Sequence, residues 1–187
     1  MPVPDFDHND VLPPHVGDVT VSSNMSPYRV TTLELVMKLG TSIERRVILI
    51  GLLDMRDDLR RIGFSDGFQW IDGSFVEDVA KWRGDDPHDV DVVTFCLPVV
   101  LPTADPALLG VLRDHGATKT RYRVDHQIVS LGSPPERVVD SSRFWFGLFS
   151  HQRGTAVWKG MLHIDLMTPN EDIAAREHLA AITLAHP

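Results

Sequence analysis

Residues 70–95, WIDGSFVEDVAKWRGDDPHDVDVVTF, decide the fold. A short apolar run, FQWI, leads to Asp72 and the pair Gly73–Ser74; a helical pattern starts at Phe75; a run of β-branched residues, VDVVTFCL, then carries Asp91 two residues beyond Asp89. Strand, tight turn, short helix, strand is the order this pattern predicts. Residues two apart on a strand share a face, so the carboxylates of Asp89 and Asp91 leave one side while Val90 and Val92 enter the core.

Working outward, the spacing predicts a long helix from Thr41 to Ile62. Thr41 and Glu44 stand at capping-box spacing, and Ile48, Leu52, Met55, Leu59 and Ile62 recur at three and four residues. The charged stretch DMRDDLRR falls on the solvated side of that helix, where ion pairs contribute a few tenths of a kcal/mol. An earlier helical pattern follows Ser26 and Pro27 and carries YRVTTLELVMKL. Downstream, DPALLGVLRDHG reads as a helix ending at Gly116, and TRYRVDHQIVSL as a strand with Tyr122, Val124, His126 and Ile128 on one face and Arg121, Arg123, Asp125 and Gln127 on the other. The aromatic stretch RVVDSSRFWFGLFSHQ reads as a helix, AVWKGMLHIDL as a strand, and Pro169 opens a final helix. Phe144, Trp145, Phe146 and Phe149 are expected in the core rather than stacked on a base. Residues 1–24, with four prolines, read as an extended arm, and 25–187 as a single domain. The expected class is α+β (α/β): a small mixed sheet with helices packed against it.

At 187 residues the chain can enclose one sizeable core. The net charge of −8 argues against a broad, sequence-independent grip on nucleic acid, which relies on Lys and Arg neutralising phosphates. Cys96 is the single cysteine, set in an apolar run, so neither a disulfide within the chain nor a four-cysteine zinc site can form. The nine histidines are scattered and lack the close helical spacing of a zinc protease. No apolar stretch approaches the roughly 20 residues needed to span a bilayer, and the acidic start is unlike a secretory leader; a cytoplasmic protein with no membrane partner is expected.

Two carboxylates as close as those of Asp89 and Asp91 repel unless one is protonated or a cation lies between them. Mg2+ suits that arrangement, because it takes one or two carboxylates and leaves its remaining positions to water and substrate phosphates. An acidic strand edge in water satisfies the same pattern without any metal. Gly73 permits a close approach of the main chain to a ligand, and Ser74 adds a hydroxyl at the start of a helix. Ser74 and Glu77 also match a capping box, which accounts for the serine by itself.

The stretch GSFVEDVAKWRGDDPHDVDV resembles the signature of the polymerase-β-type nucleotidyltransferase superfamily, a Gly-Ser turn after one strand followed by an acid-x-acid pair on the next. FDHNDVLPP, WIDGSF and WKG are similar to a group of small bacterial proteins in that superfamily. Asp72 departs from the pattern, standing where an apolar residue is usual, and the Ser74-to-Asp89 spacing is slightly long. The resemblance implies a nucleotidyltransferase-like fold that binds a nucleoside triphosphate with two Mg2+ ions and transfers the nucleotide to a protein, an RNA end or a small molecule. It implies Asp89, Asp91 and a third acid as catalytic metal ligands, with Gly73 and Ser74 holding phosphate. Asp125, on the polar face of the next long strand, is the expected third acid and Asp165 its rival; an ion pair with Arg121 or Arg123 would explain Asp125 equally. Lys159 is a candidate phosphate contact.

Two other readings compete. One is a catalytically inactive module that binds a nucleotide or a partner, as a member of a toxin–antitoxin or defence pair. The other is a metal-dependent hydrolase using the same aspartates with His88 or His126. At this length, acceptor recognition is expected to come from a homodimer or a partner protein.

Overall fold

The predicted apolar stripe folds as α2 (Ile43–Ile62), with Ile48, Leu52, Met55, Leu59 and Ile62 all buried. Its cap is Ser42 rather than Thr41: the Ser42 hydroxyl accepts from the Arg45 amide, and Gly63 closes the helix in the left-handed region. The computed structural model describes residues 2–64, 66–97 and 99–185, with backbone alone at 184–185.

Among the described residues the chain forms an α+β fold around a five-stranded mixed sheet. The strands are β1 (Tyr28–Arg29), β2 (Gly67–Asp72), β3 (Val90–Cys96), β4 (Val124–Ser130) and β5 (Leu162–Asp165), in the order β1-β5-β2-β3-β4. The helices besides α2 are α1 (Thr32–Leu39), α3 (Val79–Arg83), α4 (Pro106–Arg113), α5 (His115–Tyr122), α6 (Pro135–Phe149) and α7 (Pro169–Ala185). The β2–β3 pair is antiparallel and the β3–β4 pair parallel.

The two faces of the sheet are covered unequally. Ile71, Val90, Val92, Val124, Leu162 and Ile164 join the main core with α1, α2, α4 and α7. Phe68, Trp70, Val93, Phe95 and Val129 point the other way and form a smaller aromatic cluster under α6. Burying one Leu, Ile or Phe side chain is worth roughly 1.5–3 kcal/mol, so the larger core dominates stability.

Several local readings are corrected by competing caps and pairings. The first helical pattern begins with two residues of strand, β1, beside β5; Thr31 and Glu34 then form the capping box that starts α1. The helix predicted to stop at Gly116 stops at Arg113. Asp114 accepts from Ala117 N and opens α5, so Gly116 and Tyr122 are helical and the strand starts at Val124. The strand expected over 156–166 is ordered as sheet only at β5, because Gly160 N donates to Leu12 O (2.7 Å) from the N-terminal segment. The described residues of that segment form no α-helix, and its Val11 and Leu12 are fully buried.

The DMRDDLRR stretch is not simply a solvated face. Arg56 is completely buried, donating to both Asp172 oxygens (3.1 and 2.9 Å), to Gln69 Oε1 (2.7 Å) and to the Asp165 carbonyl (2.9 Å). Gln69 Nε2 donates to Thr94 Oγ1 (2.9 Å), whose proton is left for His126 Nε2 (2.7 Å); His126 Nδ1–H then donates to Leu112 O (3.3 Å). No described helix is long and apolar enough to cross a membrane.

Candidate functional site

The sheet register brings the acids together. Asp72 pairs with Asp91 across β2 and β3, and Asp91 pairs with Asp125 across β3 and β4. Directly opposed residues project to the same side, so three carboxylates form a row on the face that α6 covers only in part. Asp89 lies two residues before Asp91 on that side.

Gly73 lies against the middle of the row. Its φ is +82°, in the region that favours glycine, and a Cβ there would collide with Asp91 Oδ2. The turn is held from behind by buried cations. Arg45 donates to Phe75 O (2.7 Å) and Glu77 O (2.6 Å), and Lys159 donates to Gly73 O (3.0 Å). Residues 73–76 form a single 3-10 turn rather than the start of a longer helix, and α3 follows separately. The Ser74–Glu77 capping box does not form, because the Glu77 carboxylate accepts from Lys159 (2.8 Å) and Gln152 (2.9 Å) instead. The Ser74 hydroxyl therefore has no intramolecular cap to make among the described residues.

Lys159 is only 3% exposed, with its ammonium 3.3 Å from Asp72 Oδ2 and 2.8 Å from Glu77 Oε1. Its visible role is to neutralise that pair and hold the turn. Asp72, also 3% exposed, keeps one oxygen, Oδ1, without any hydrogen-bond partner. Burial, opposed by Lys159, pushes the Asp72 carboxyl up to about 8. Asp91 makes no ion pair among the described residues; burial first, and then the charges of Asp89 and Asp125, push it up to about 6.

Asp89 and Asp125 share Lys119, which projects from α5. Its Nζ is 2.5 Å from Asp89 Oδ2 and 3.7 Å from Asp125 Oδ2, and these carboxylates hold the Lys119 ammonium more strongly protonated than usual. His115 Nδ1 stands 3.9 Å from Asp125 Oδ1. The Asp125 partner is thus Lys119, not the adjacent Arg121 or Arg123. Among the described residues no three carboxylate, histidine or cysteine groups converge into a metal cage. Asp165 is not part of the cluster. It faces Phe68, four residues along β2 from Asp72 and so about 13 Å away, and it contacts His163 (3.2 Å) and Arg29 (3.8 Å).

The turn opens onto a cleft of about 750 Å³ bordered by Asp72, Gly73, Ser74 and Lys159 on one side and by residues 151–156 on the other. A smaller hollow of about 240 Å³ holds Asp91 and Asp125. Leu148 and Arg153 border both spaces. Residues 4–165 match the family model described as "Family of unknown function (DUF6932)". The chain belongs to this family. No curated protein and no solved structure matches it.

Arg153 is the site residue that sequence reasoning missed. It is exposed, forms no ion pair among the described residues, and its charge favours the ionised form of Asp91. Nothing in HQRGT distinguishes it from an ordinary surface arginine; only the packing of the 150–158 segment beside the turn brings it to the acids. Arg45 was hidden in the same way by a helix pattern that reads as solvated at that position. His126, a candidate for hydrolysis, is buried on the opposite face, and His88 contacts Asp85 (3.4 Å).

Proposed function

We propose that the chain is a magnesium-dependent nucleotidyltransferase, of the polymerase-β type that its Gly-Ser turn and acid-x-acid pair resemble. The observation that carries the proposal is Asp91, a carboxylate without a cation, in register between Asp72 and Asp125 and pressed against Gly73. A hard divalent ion suits that site: it accepts oxygen ligands, needs only one or two carboxylates from the protein, and completes its shell with water and phosphate. Asp91 with Asp89 or Asp125 would hold it, and the orphaned Oδ1 of Asp72 adds an acceptor beside them. Metal bound there would supply electrostatic stabilisation to the attacking and departing oxygens of a phosphoryl transfer.

The chain's own groups divide the remaining tasks. The Gly73–Ser74 turn gives phosphate a close approach to the main chain, Lys159 and Arg45 keep that turn in shape, and Arg153 offers an exposed positive charge at the junction of the two hollows. For Asp89 to serve as a metal ligand, the divalent ion would take the place of the Lys119 ammonium that pairs with it here. The acceptor class is a protein, an RNA end or a small molecule, presented by a second copy or a partner protein in the cytoplasm.

The decisive assay incubates the chain with nucleoside triphosphates labelled at the α-phosphate, Mg2+ and a cell extract as acceptor source. Label transfer that disappears in Asp89→Ala/Asp91→Ala, with the circular dichroism spectrum unchanged, is the expected result. Equal transfer by the double variant would remove the proposal. One observation favours the second reading, a non-catalytic nucleotide- or partner-binding module of a toxin–antitoxin pair: Lys119 already neutralises Asp89 and Asp125. That reading expects triphosphate binding with no transferred label.

A further inference from the structure

The far end of the larger cleft is built differently from the end at the turn. Trp82 and Arg83, the last two residues of α3, border it together with the 152–156 segment. Trp82 is 52% exposed and also lines an adjoining hollow of about 340 Å³ with Gln152, Arg153 and Gly154. The indole therefore forms a wall shared by two connected spaces. The other three tryptophans are engaged with rings: Trp70 and Trp145 pack in the aromatic cluster, and Trp158 lies 5.9 Å from His15. Trp82 has no ring partner among the described residues. Its neighbour is Arg83, whose guanidinium carbon is 5.9 Å from the indole centroid.

A flat apolar face beside cationic groups, in the same cleft as a phosphate-sized turn, suits a ligand with an aromatic end and an anionic end. The cleft volume lies within the roughly 300–1,000 Å³ of small-molecule pockets. Edge-on recognition is poorly provided for, since the Gln152 amide is already spent, donating to Glu77 (2.9 Å) and accepting from Thr155 (2.6 Å). Stacking does not depend on base edges, because every base has a π face.

We infer that Trp82 is the nucleobase platform of this site: the base of a nucleoside triphosphate stacks on the indole while its phosphates reach back to Gly73, Ser74 and Arg153. The inference rests on the nucleotidyltransferase reading and adds how the substrate is gripped. It carries a selectivity, since the larger purine face covers more indole than a pyrimidine does.

Calorimetric titration of the full chain with MgATP, MgUTP and magnesium tripolyphosphate tests it. In the wild type, ATP binds more tightly than UTP. Trp82→Ala weakens ATP about tenfold, the scale of one lost base–aromatic stack, and leaves tripolyphosphate within twofold; Trp82→Phe recovers most of the loss. ATP affinity unchanged in Trp82→Ala, or ATP and tripolyphosphate weakened equally, overturns the platform while the phosphate site stands. A wild-type chain that binds neither ATP nor tripolyphosphate overturns both this inference and the reading beneath it.

Discussion

The two faces of the sheet handle buried polar groups in opposite ways. On the helix-covered face Arg56, Asp172, Gln69, Thr94 and His126 are all buried and linked in a continuous hydrogen-bonded chain. On the cleft face Asp72 keeps an orphaned oxygen and Asp91 has no cation. The first arrangement fixes how α2 and α7 sit on the strands. The second leaves a buried acceptor unspent at Asp72 and a carboxylate without a cation at Asp91, which lines an open hollow, the pattern expected of a site that trades stability for binding. Their responses to pH also run in opposite directions. Burial pushes His126 down to about 4, so its contribution is complete above its unfolded value and is lost as pH falls. Asp91 and Asp72 are pushed up, so theirs is complete at low pH and is lost as pH rises through about 6 and about 8.

The contrast can be broken most forcefully at Arg56. Arg56→Met strands Gln69 and leaves Asp172 with Arg60 (2.8 Å) as its remaining cation, and should cost about 3 kcal/mol in urea unfolding; a loss under about 1 kcal/mol would mean that the network is not what ties α7 to the sheet. The cleft face should respond with the other sign. Asp91→Asn cannot ionise, so at pH 8 it should gain about 2 kcal/mol over the wild type, falling to nothing near pH 4. Unfolding curves across that range that run parallel for both chains would show that Asp91 carries no such cost. Lys119→Met sharpens the comparison with the smallest effect on folding. Lys119 is half-exposed, and its loss should change stability by less than about 1 kcal/mol, while magnesium affinity rises severalfold because the ion no longer competes with an ammonium. Weaker magnesium binding in this variant would instead make Lys119 a supporting element of the site.

Much of this contrast was legible in the sequence where it depended on local periodicity. The alternation of β3 put Asp89 and Asp91 on one face, and the 124–130 alternation separated Asp125 from His126 correctly. The turn at Gly73 was also readable, since an Asp-Gly-Ser sequence after an apolar run leaves few alternatives. What escaped depended on partners distant in the chain. Arg56 reads as solvated because it stands in a charge-rich stretch with Asp54, Asp57 and Asp58 close by, and only α7, more than a hundred residues on, supplies Asp172. The β2–β3 register sets Asp72 beside Asp91, and Glu77 and Asp72 flank the ammonium of Lys159, the candidate phosphate contact; neither neighbourhood is visible from the sequence. Arg153 enters the cleft through an irregular segment and Trp82 through the five-residue α3, which is too short for a periodic pattern to give it a direction.

The central claim is that Asp91, the carboxylate beside Gly73 that makes no ion pair among the described residues, holds a nucleotide through a divalent ion. Calorimetric titration of ATP into the wild type and into Asp91→Asn at pH 7.5, with Mg2+ and again with chelator, tests it most directly. The account predicts binding in the wild type only when Mg2+ is present, and none in Asp91→Asn although that variant is the more stable protein. ATP binding that survives chelator, or that is equal in the two chains, would contradict it.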